Sequence, residues 1–174
     1  MMRLSDYAGP GYGIQAYSKA PIALYALGGI VGDSAVDRAF AEYTRAWKYK
    51  HATPYDFFFS MNHSLKRNLD WFWHAWFFTT YTVDQSIESV MASGDQAVIT
   101  VRDKGDMAMP VIARVEFADG STSELKFGAE RWFSGSRTMS DSFPLRGKVL
   151  RKVTLDPENR FQDLDRSNNV WPRN

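Results

Sequence analysis

With 174 residues, of which 44% are hydrophobic and 15% aromatic, the chain can bury about 70% of the surface that its unfolded form exposes. That is enough for one core or for two small ones. Its 21 basic and 20 acidic residues give a formal net charge of +1, so no long-range field favours nucleic acid or an anionic membrane as a partner. The absence of cysteine excludes disulfides, thiolate metal sites and cysteine nucleophiles.

The apolar runs of the sequence indicate neither a membrane span nor a leader. The two longest, at residues 22–31 and 71–78, are too short to cross a bilayer. No charged segment followed by an apolar stretch and a small-residue cleavage site is present. The sequence as given is therefore expected to be cytoplasmic, with no membrane partner.

The first half of the chain has the periodicity of helices. Apolar residues from Tyr17 to Leu27 predict a helix that ends near Gly28 or Gly32. Asp33 is expected to cap a second helix. The buried face of that helix is predicted from apolar residues spaced by three and four: Val36, Ala39, Phe40, Tyr43 and Trp47.

Two further helices are predicted after residue 52. Thr53 is a favoured N-cap, Pro54 a favoured first helical residue, and Asp56 suits the first turn. The last helix, from about Leu69 to Phe78, has almost no polar face, so we expect it to be covered on most sides.

After Thr82 the sequence changes to short alternating strands separated by turns, which predicts an antiparallel sandwich. Asp119 and Gly120 predict a hairpin with a type I′ turn. Six or seven strands over about ninety residues are typical of an immunoglobulin-like or fibronectin-like fold. The predicted fold class is thus α+β: a helical segment over residues 1–82, then an immunoglobulin-like β-sandwich over residues 83–174.

Several motifs occur in an order that resembles the aminopeptidase N family of gluzincin zinc metallopeptidases, over the C-terminal part of that family only. They are Tyr17-Ser18-Lys19-Ala20-Pro21 before an apolar helix, TPYDFF at residues 53–58 and NLDWFW at residues 68–73. The segments DMAMPV at residues 106–111 and TLDPENRFQDLDRSNN at residues 154–169 resemble the C-terminal sandwich of its bacterial members.

The resemblance implies a role for one tyrosine. In that family a Tyr-x-Lys-Gly motif follows the metal helix, and its tyrosine hydrogen-bonds the transition-state oxyanion. The match falls on Tyr17, with Ala20 in place of the glycine. Tyr17 would therefore stabilise an oxyanion only within an intact enzyme, and Tyr12, in the glycine-rich stretch before it, is a candidate for the same substrate cleft. From the residues alone, packing is the more frequent role for both tyrosines.

The family's zinc ligands are missing from this sequence. Members bind zinc through H-E-x-x-H and a further glutamate, whereas the histidines here, His51, His63 and His74, are twelve and eleven residues apart. We therefore expect no metal site and no cofactor in this chain, although the resemblance implies zinc for the intact enzyme.

Two other motifs suggest different chemistry. Gly32-Asp33-Ser34 resembles the nucleophile turn of lipase-like serine hydrolases, but it also fits a helix end followed by a cap. Asp163 and Asp165, with Asn168 or Asn169, carry oxygen ligands suited to calcium, but no bidentate glutamate or pivotal glycine follows, which favours a solvated turn.

Two hypotheses for function follow. The first is a C-terminal fragment of an aminopeptidase-like zinc metallopeptidase, which acts on peptides only if the metal-binding half is supplied and is inactive alone. The alternative is a non-enzymatic binding or self-association module that uses exposed aromatic residues of the helical half. The second hypothesis predicts a homo-oligomer formed through the helical half, and neither hypothesis predicts a nucleic-acid partner.

Overall fold

The computed structural model describes residues 14–173, and the side chains from residue 17 onward. The chain divides into two compact units, one that ends at Thr79 and one that begins at Thr80. Within the described residues, the first unit holds four α-helices and the second holds seven strands, so the predicted α+β class with a β-sandwich is confirmed. None of the helices in this range is both long and apolar enough to span a bilayer.

The first helix, α1, spans Ala20–Val31 and continues a π-helical segment, Ile14–Lys19. Pro21 lies in its first turn, next to the π-helical segment. The helix ends at Gly32, one of the two predicted ends, and the Gly32 N–H donates to the Gly28 carbonyl at 2.8 Å. Gly32 has φ 93°, a conformation that favours glycine.

Helix α2 spans Asp33–Trp47 and departs from prediction in two ways. Gly32 is its N-cap and no side chain caps it, so the expectation that Asp33 is the cap was wrong; Asp33 is instead the first helical residue, where a carboxylate is favourable near the helix N-terminus. Val36 and Ala39 are buried as predicted, but Phe40 is exposed and its ring packs edge-on against Phe57 of the next helix.

Helix α3, Pro54–Leu65, begins with the cap that the sequence predicts. The Thr53 hydroxyl accepts the Asp56 N–H at 3.3 Å, and the Asp56 carboxylate accepts the Thr53 N–H at 2.8 Å. This reciprocal pair is a capping box, which satisfies two backbone donors that the helix leaves unpaired. The helix ends at Lys66, in the left-handed conformation with φ 53°.

Helix α4, Asp70–Phe78, is buried on one side only. Phe72 and Trp73 lie in the core of the helical unit, and the Trp73 ring stacks on Phe58 of α3 with centroids 5.0 Å apart. His74 and Phe78 are exposed. The expected cover on most sides therefore holds for only part of this helix.

The second unit consists of two antiparallel sheets. Their strands are β1 Gln85–Ser93, β2 Gln96–Asp103, β3 Val111–Phe117, β4 Thr122–Phe127, β5 Thr138–Pro144, β6 Leu150–Leu155 and β7 Val170–Trp171. One sheet has the order β1-β2-β5 and the other β4-β3-β6-β7. In constant-type immunoglobulin domains the fourth strand joins the sheet of the first two, whereas here β4 pairs with β3.

Alternating side chains from both sheets form the sandwich core. On β2, for example, Ala97, Ile99 and Val101 are buried and alternate with more exposed residues. Trp132, from the short helix Ala129–Trp132, is part of this core, and its indole N–H donates to the Met109 carbonyl at 2.9 Å. A buried indole that finds a polar partner can supply its large apolar area without an unsatisfied donor.

The β3–β4 hairpin does not have the predicted type I′ turn. Gly120 is left-handed with φ 81°, but Asp119 is not, and a type I′ turn needs both. The Gly120 N–H donates to the Phe117 carbonyl at 3.0 Å, as in three-residue hairpin loops that end in a left-handed glycine. The Asp119 carboxylate accepts the Ser121 N–H at 2.9 Å, and this local bond favours the observed turn.

Candidate functional site

Tyr17 lies in the π-helical segment Ile14–Lys19 and is 75% exposed. π-Helical turns are rare and occur frequently at functional sites. The α1 residues that follow, Ala23, Ala26 and Leu27, are fully buried and hold this helix in the unit. The exposed side chain of Tyr17 therefore precedes a helix whose later residues are packed in the core.

The roles predicted for the two tyrosines remain predictions. Tyr12 lies outside the described residues. The exposure of Tyr17 is compatible with a hydrogen-bond donor to a bound group, because an O–H donor must reach the ligand directly.

The histidines lie on separate parts of the helical unit. His51 is in the loop between α2 and α3, His63 is in the last turn of α3, and His74 is on α4. Across residues 14–173, no three histidine, aspartate or glutamate side chains come together in a way that could hold a metal ion. Among the residues that the structure describes, no donor set fits zinc, and no chemical step through zinc follows from them.

The Gly32-Asp33-Ser34 segment joins two helices. A serine nucleophile elbow of the hydrolase type lies between a strand and a helix, so the surroundings of Ser34 differ from that arrangement. The glycine acts as the end of α1 and the cap of α2, which accounts for its presence.

The acidic residues near the C-terminus bind backbone N–H groups of the sandwich unit. Asp163 accepts the N–H of Gln85 at 2.8 Å and that of Asp165 at 2.9 Å, and Asp165 accepts the N–H of Ser167 at 3.1 Å. Burial raises the pKa of Asp163 above its ordinary value. These bonds fasten the C-terminal segment to β1, as expected of a structural turn.

A buried carboxyl group that the sequence did not reveal lies at the end of β2. Asp103 is 4% exposed, and its carboxylate lies 3.8 Å from the guanidinium of Arg137. Burial raises its pKa to about 6, although the Arg137 charge acts in the opposite direction. Structural ion pairs as well as functional sites have such shifts, and here the partners are one arginine and the Gly105 N–H.

A pocket of about 280 Å³ lies between α3 and α4. It is lined by Tyr55, Phe58, Phe59, Asp70, Trp73, His74 and Phe78. Sequence reasoning missed it, although a signal was present: Tyr55 and Phe59 are four residues apart, and so are Asp70, His74 and Phe78, which places each set on one helix face.

The comparisons with known proteins found a similar fold but no similar sequence. No family model and no curated protein matches the chain. Among solved structures, Legionella pneumophila aminopeptidase A, in complex with aspartic acid, is similar with a TM-score of 0.63 and 14% identity. The fold is aminopeptidase-like. The match covers 83% of this chain and 17% of that one, so this chain corresponds to a small part of the length of the aminopeptidase.

Two β-glucuronidase structures from Ruminococcus gnavus are much less similar. Their TM-scores are 0.28 and 0.25, their identities 16% and 17%, and they cover 47% and 46% of this chain and 14% of each of those chains. Likeness at this level carries no inference. The aminopeptidase match, at 14% identity, indicates a shared fold without assigning the chain to a specific family.

Proposed function

We propose that this chain is the C-terminal part of an aminopeptidase-like zinc metallopeptidase that hydrolyses peptide bonds. The fold likeness to an aminopeptidase over 83% of the chain carries the proposal. The order of the Tyr17, TPYDFF and NLDWFW motifs supports it from the sequence. The metal ligands of such an enzyme would have to come from outside the described residues.

Tyr17 has the chemical role in this proposal. Its phenolic O–H donates a hydrogen bond to the oxyanion that develops on the scissile carbonyl, and its exposure leaves the group accessible. A donor of this kind stabilises charge but does not attack the carbonyl. The chain alone is therefore inactive as a peptidase.

The isolated chain provides the first test. The purified protein is assayed on aminoacyl-p-nitroanilides with and without added zinc. We expect no turnover in either condition. Zinc-dependent turnover that Tyr17→Phe abolishes would overturn the proposed inactivity.

A second test concerns the reading frame upstream of Met1. An in-frame segment that encodes H-E-x-x-H supports the proposal, and a genuine independent start contradicts it. In the longer protein, Tyr17→Phe should lower kcat by about 10²–10³ with little change in KM. Tyr25→Phe removes the phenolic hydroxyl of a tyrosine on α1 instead. It is the matched control and should leave kcat unchanged.

One observation favours a second candidate function, a binding or self-association module. Tyr55, Phe59 and Phe78 are all more than half exposed on the helical unit, and exposed apolar patches mark interaction surfaces. A homo-oligomer formed through this unit is the expected consequence. Light scattering over a range of protein concentrations tests it, and a monomer at high concentration would contradict it.

A further inference from the structure

We propose that the pocket between α3 and α4 binds a guanidinium group, presented by an arginine side chain of a peptide, through its aromatic rings and the carboxylate of Asp70. Its volume of about 280 Å³ lies just below the range of about 300–1,000 Å³ for drug-sized ligands, and so suits a single side chain. The site is independent of Tyr17 and of any metal.

The outer wall of the pocket consists of exposed rings with similar orientation. Tyr55, Phe59 and Phe78 are 56%, 64% and 53% exposed. The planes of Tyr55 and Phe78 differ by 21° with centroids 6.1 Å apart, and those of Tyr55 and Phe59 by 31° at 6.5 Å. Accessible ring faces attract cations, because the π-electrons make each face negative.

The inner wall of the pocket consists of buried rings. Phe58 and Trp73 are buried and stack on each other at 18°, with centroids 5.0 Å apart. Phe58 also makes edge contacts with Tyr55 and Phe78 at 6.2 Å and 6.1 Å. Tyr55 and Phe78 therefore contact a buried ring at their base.

A chain of hydrogen bonds fixes the carboxylate of Asp70, one of the residues that line the pocket. The Trp73 indole N–H donates to Asn62 Oδ1 at 2.8 Å, and Asn62 Nδ2 donates to Asp70 Oδ1 at 2.8 Å. The Asp70 N–H donates in turn to Asn68 Oδ1 at 2.9 Å. These bonds orient the Asp70 side chain relative to the Trp73 ring before any ligand arrives.

Asp70 has no ion-pair partner within the part of the chain that the structure describes. None of the ion pairs found there includes Asp70. His74, the other ionisable group in the pocket, stacks on Phe78 at 18° and extends the row of rings. A carboxylate without a cationic side-chain partner, beside aromatic faces, is complementary to a cation, not to an anion or a neutral apolar group.

Guanidinium fits this arrangement better than ammonium does. It is planar, so it can lie flat against a ring, and its fork of N–H donors can bind a carboxylate with two hydrogen bonds. An ammonium ion is compact and strongly hydrated, and it loses more hydration at an aromatic face. The site should therefore prefer arginine to lysine.

The test is an NMR titration of the full chain with Nα-acetyl-arginine N-methylamide at one fixed pH. The Trp73 indole N–H and the Asn62 amide resonances report on the pocket. We expect saturable shifts with a Kd of about 1–10 mM. The citrulline analogue has the same shape without the charge and should bind at least fivefold more weakly.

Two variants separate the charge from the rings. Asp70→Asn keeps an oxygen acceptor for Asn62 but removes the charge, and Tyr55→Ala removes one ring face; each should weaken arginine binding at least fivefold. Tyr55→Phe retains the ring and should bind normally. Phe133→Ala, a similarly exposed ring on the sandwich unit, is the control and should have no effect.

Several outcomes would overturn the proposal. Equal affinity for the arginine and citrulline compounds, or full affinity in Asp70→Asn, would exclude recognition of charge. Absence of saturable shifts up to about 100 mM would exclude a binding site of the expected strength. Shifts of the same resonances with protein concentration alone would identify a second copy of the chain as the occupant.

Discussion

The guanidinium of Arg137, on the segment that precedes β5, lies 3.8 Å from the buried carboxylate of Asp103 at the end of β2. The two residues are also joined by their backbones, because the Asp103 N–H donates to the Arg137 carbonyl at 2.9 Å. Arg137 further binds Asp106 at 3.1 Å and the carbonyl of Gly105. A single half-exposed arginine thus serves two carboxylates of unequal burial.

This arrangement predicts a pH dependence of stability. Because burial raises the pKa of Asp103 to about 6, the folded protein binds a proton there more tightly than the unfolded chain does. The resulting stabilisation is complete below about pH 4 and is lost as the pH rises through about 6. This rise in pKa corresponds to about 3 kcal/mol of unfolding free energy, which is the most that the Asp103 carboxyl group can contribute.

Asp103→Asn should remove that pH dependence. We expect the free energy of unfolding of the variant to exceed that of the wild type by about 1–3 kcal/mol at pH 7.5 and to approach it near pH 4. Urea unfolding at several pH values measures the difference. Glu88→Gln, at a more exposed carboxylate on β1 that pairs with Arg102, is the control and should leave the slope in place. Parallel pH profiles for wild type and Asp103→Asn would contradict the prediction.

The capping box of α3 predicts a second effect. Thr53→Ala removes the hydroxyl that accepts the Asp56 N–H and should lower the free energy of unfolding of the helical unit by about 1 kcal/mol. Thr53→Ser retains the acceptor and should be nearly neutral. Urea unfolding followed by tryptophan fluorescence distinguishes the two variants, and equal losses in both would exclude the cap as the cause.

The capping box also makes the stability of α3 depend on pH. Hydrogen bonds from Thr53 lower the pKa of Asp56, so its stabilising effect is present above the ordinary aspartate range and is lost as the pH falls through the lowered value. In Thr53→Ala the side-chain bond is gone, and the Asp56 pKa should move back toward its ordinary value. NMR titration of the carboxyl carbon measures this directly. An unmoved titration curve in the variant would count against the assigned cause.

How far the sequence predicts the structure depends on how local each signal is. A hairpin lies at Asp119 and Gly120, between β3 and β4, and the predicted cap at Thr53 is correct, because turn and capping signals involve neighbouring residues. Phe40 was placed on a buried face by its spacing, but burial also requires a partner helix at that point, and its ring is exposed. Periodicity defines a face but does not say how much of it is covered.

The candidate sites depend on contacts that no local pattern contains. Asp103 and Arg137 are far apart in sequence and meet only because β2 pairs with β5. The carboxylate of Asp70 is oriented by Asn62, from another helix, and that amide depends on the indole of Trp73. Tyr17, by contrast, is singled out by a motif of neighbouring residues, Tyr17-Ser18-Lys19.

Gly105 provides a test of backbone packing next to Asp103. A Cβ atom at this position would collide with the backbone carbonyl of Thr82 and lie 2.7 Å from the Asp84 nitrogen. Backbone atoms cannot move as a flexible side chain can, so Gly105→Ala should cost about 1–3 kcal/mol. Gly128→Ala is the control: its Cβ would meet only the end of the Glu130 side chain, which can rotate away. Equal losses of unfolding free energy in the two variants would show that backbone collision is not the cause.

The helical unit offers a comparison between a buried and an exposed ring on the same helix. Phe72 is fully buried and packs edge-on against Trp73 with centroids 5.1 Å apart, whereas Phe78, also on α4, is 53% exposed. Phe72→Ala leaves a cavity in addition to the lost burial, so it should reduce the free energy of unfolding by about 3–5 kcal/mol. Phe78→Ala should cost about 1 kcal/mol or less, because the exposed ring is already largely in water. Urea unfolding monitored by tryptophan fluorescence measures both variants. A large loss in Phe78→Ala as well would mean that its ring is covered in solution, and would require an occupant of the α3–α4 pocket even without added ligand.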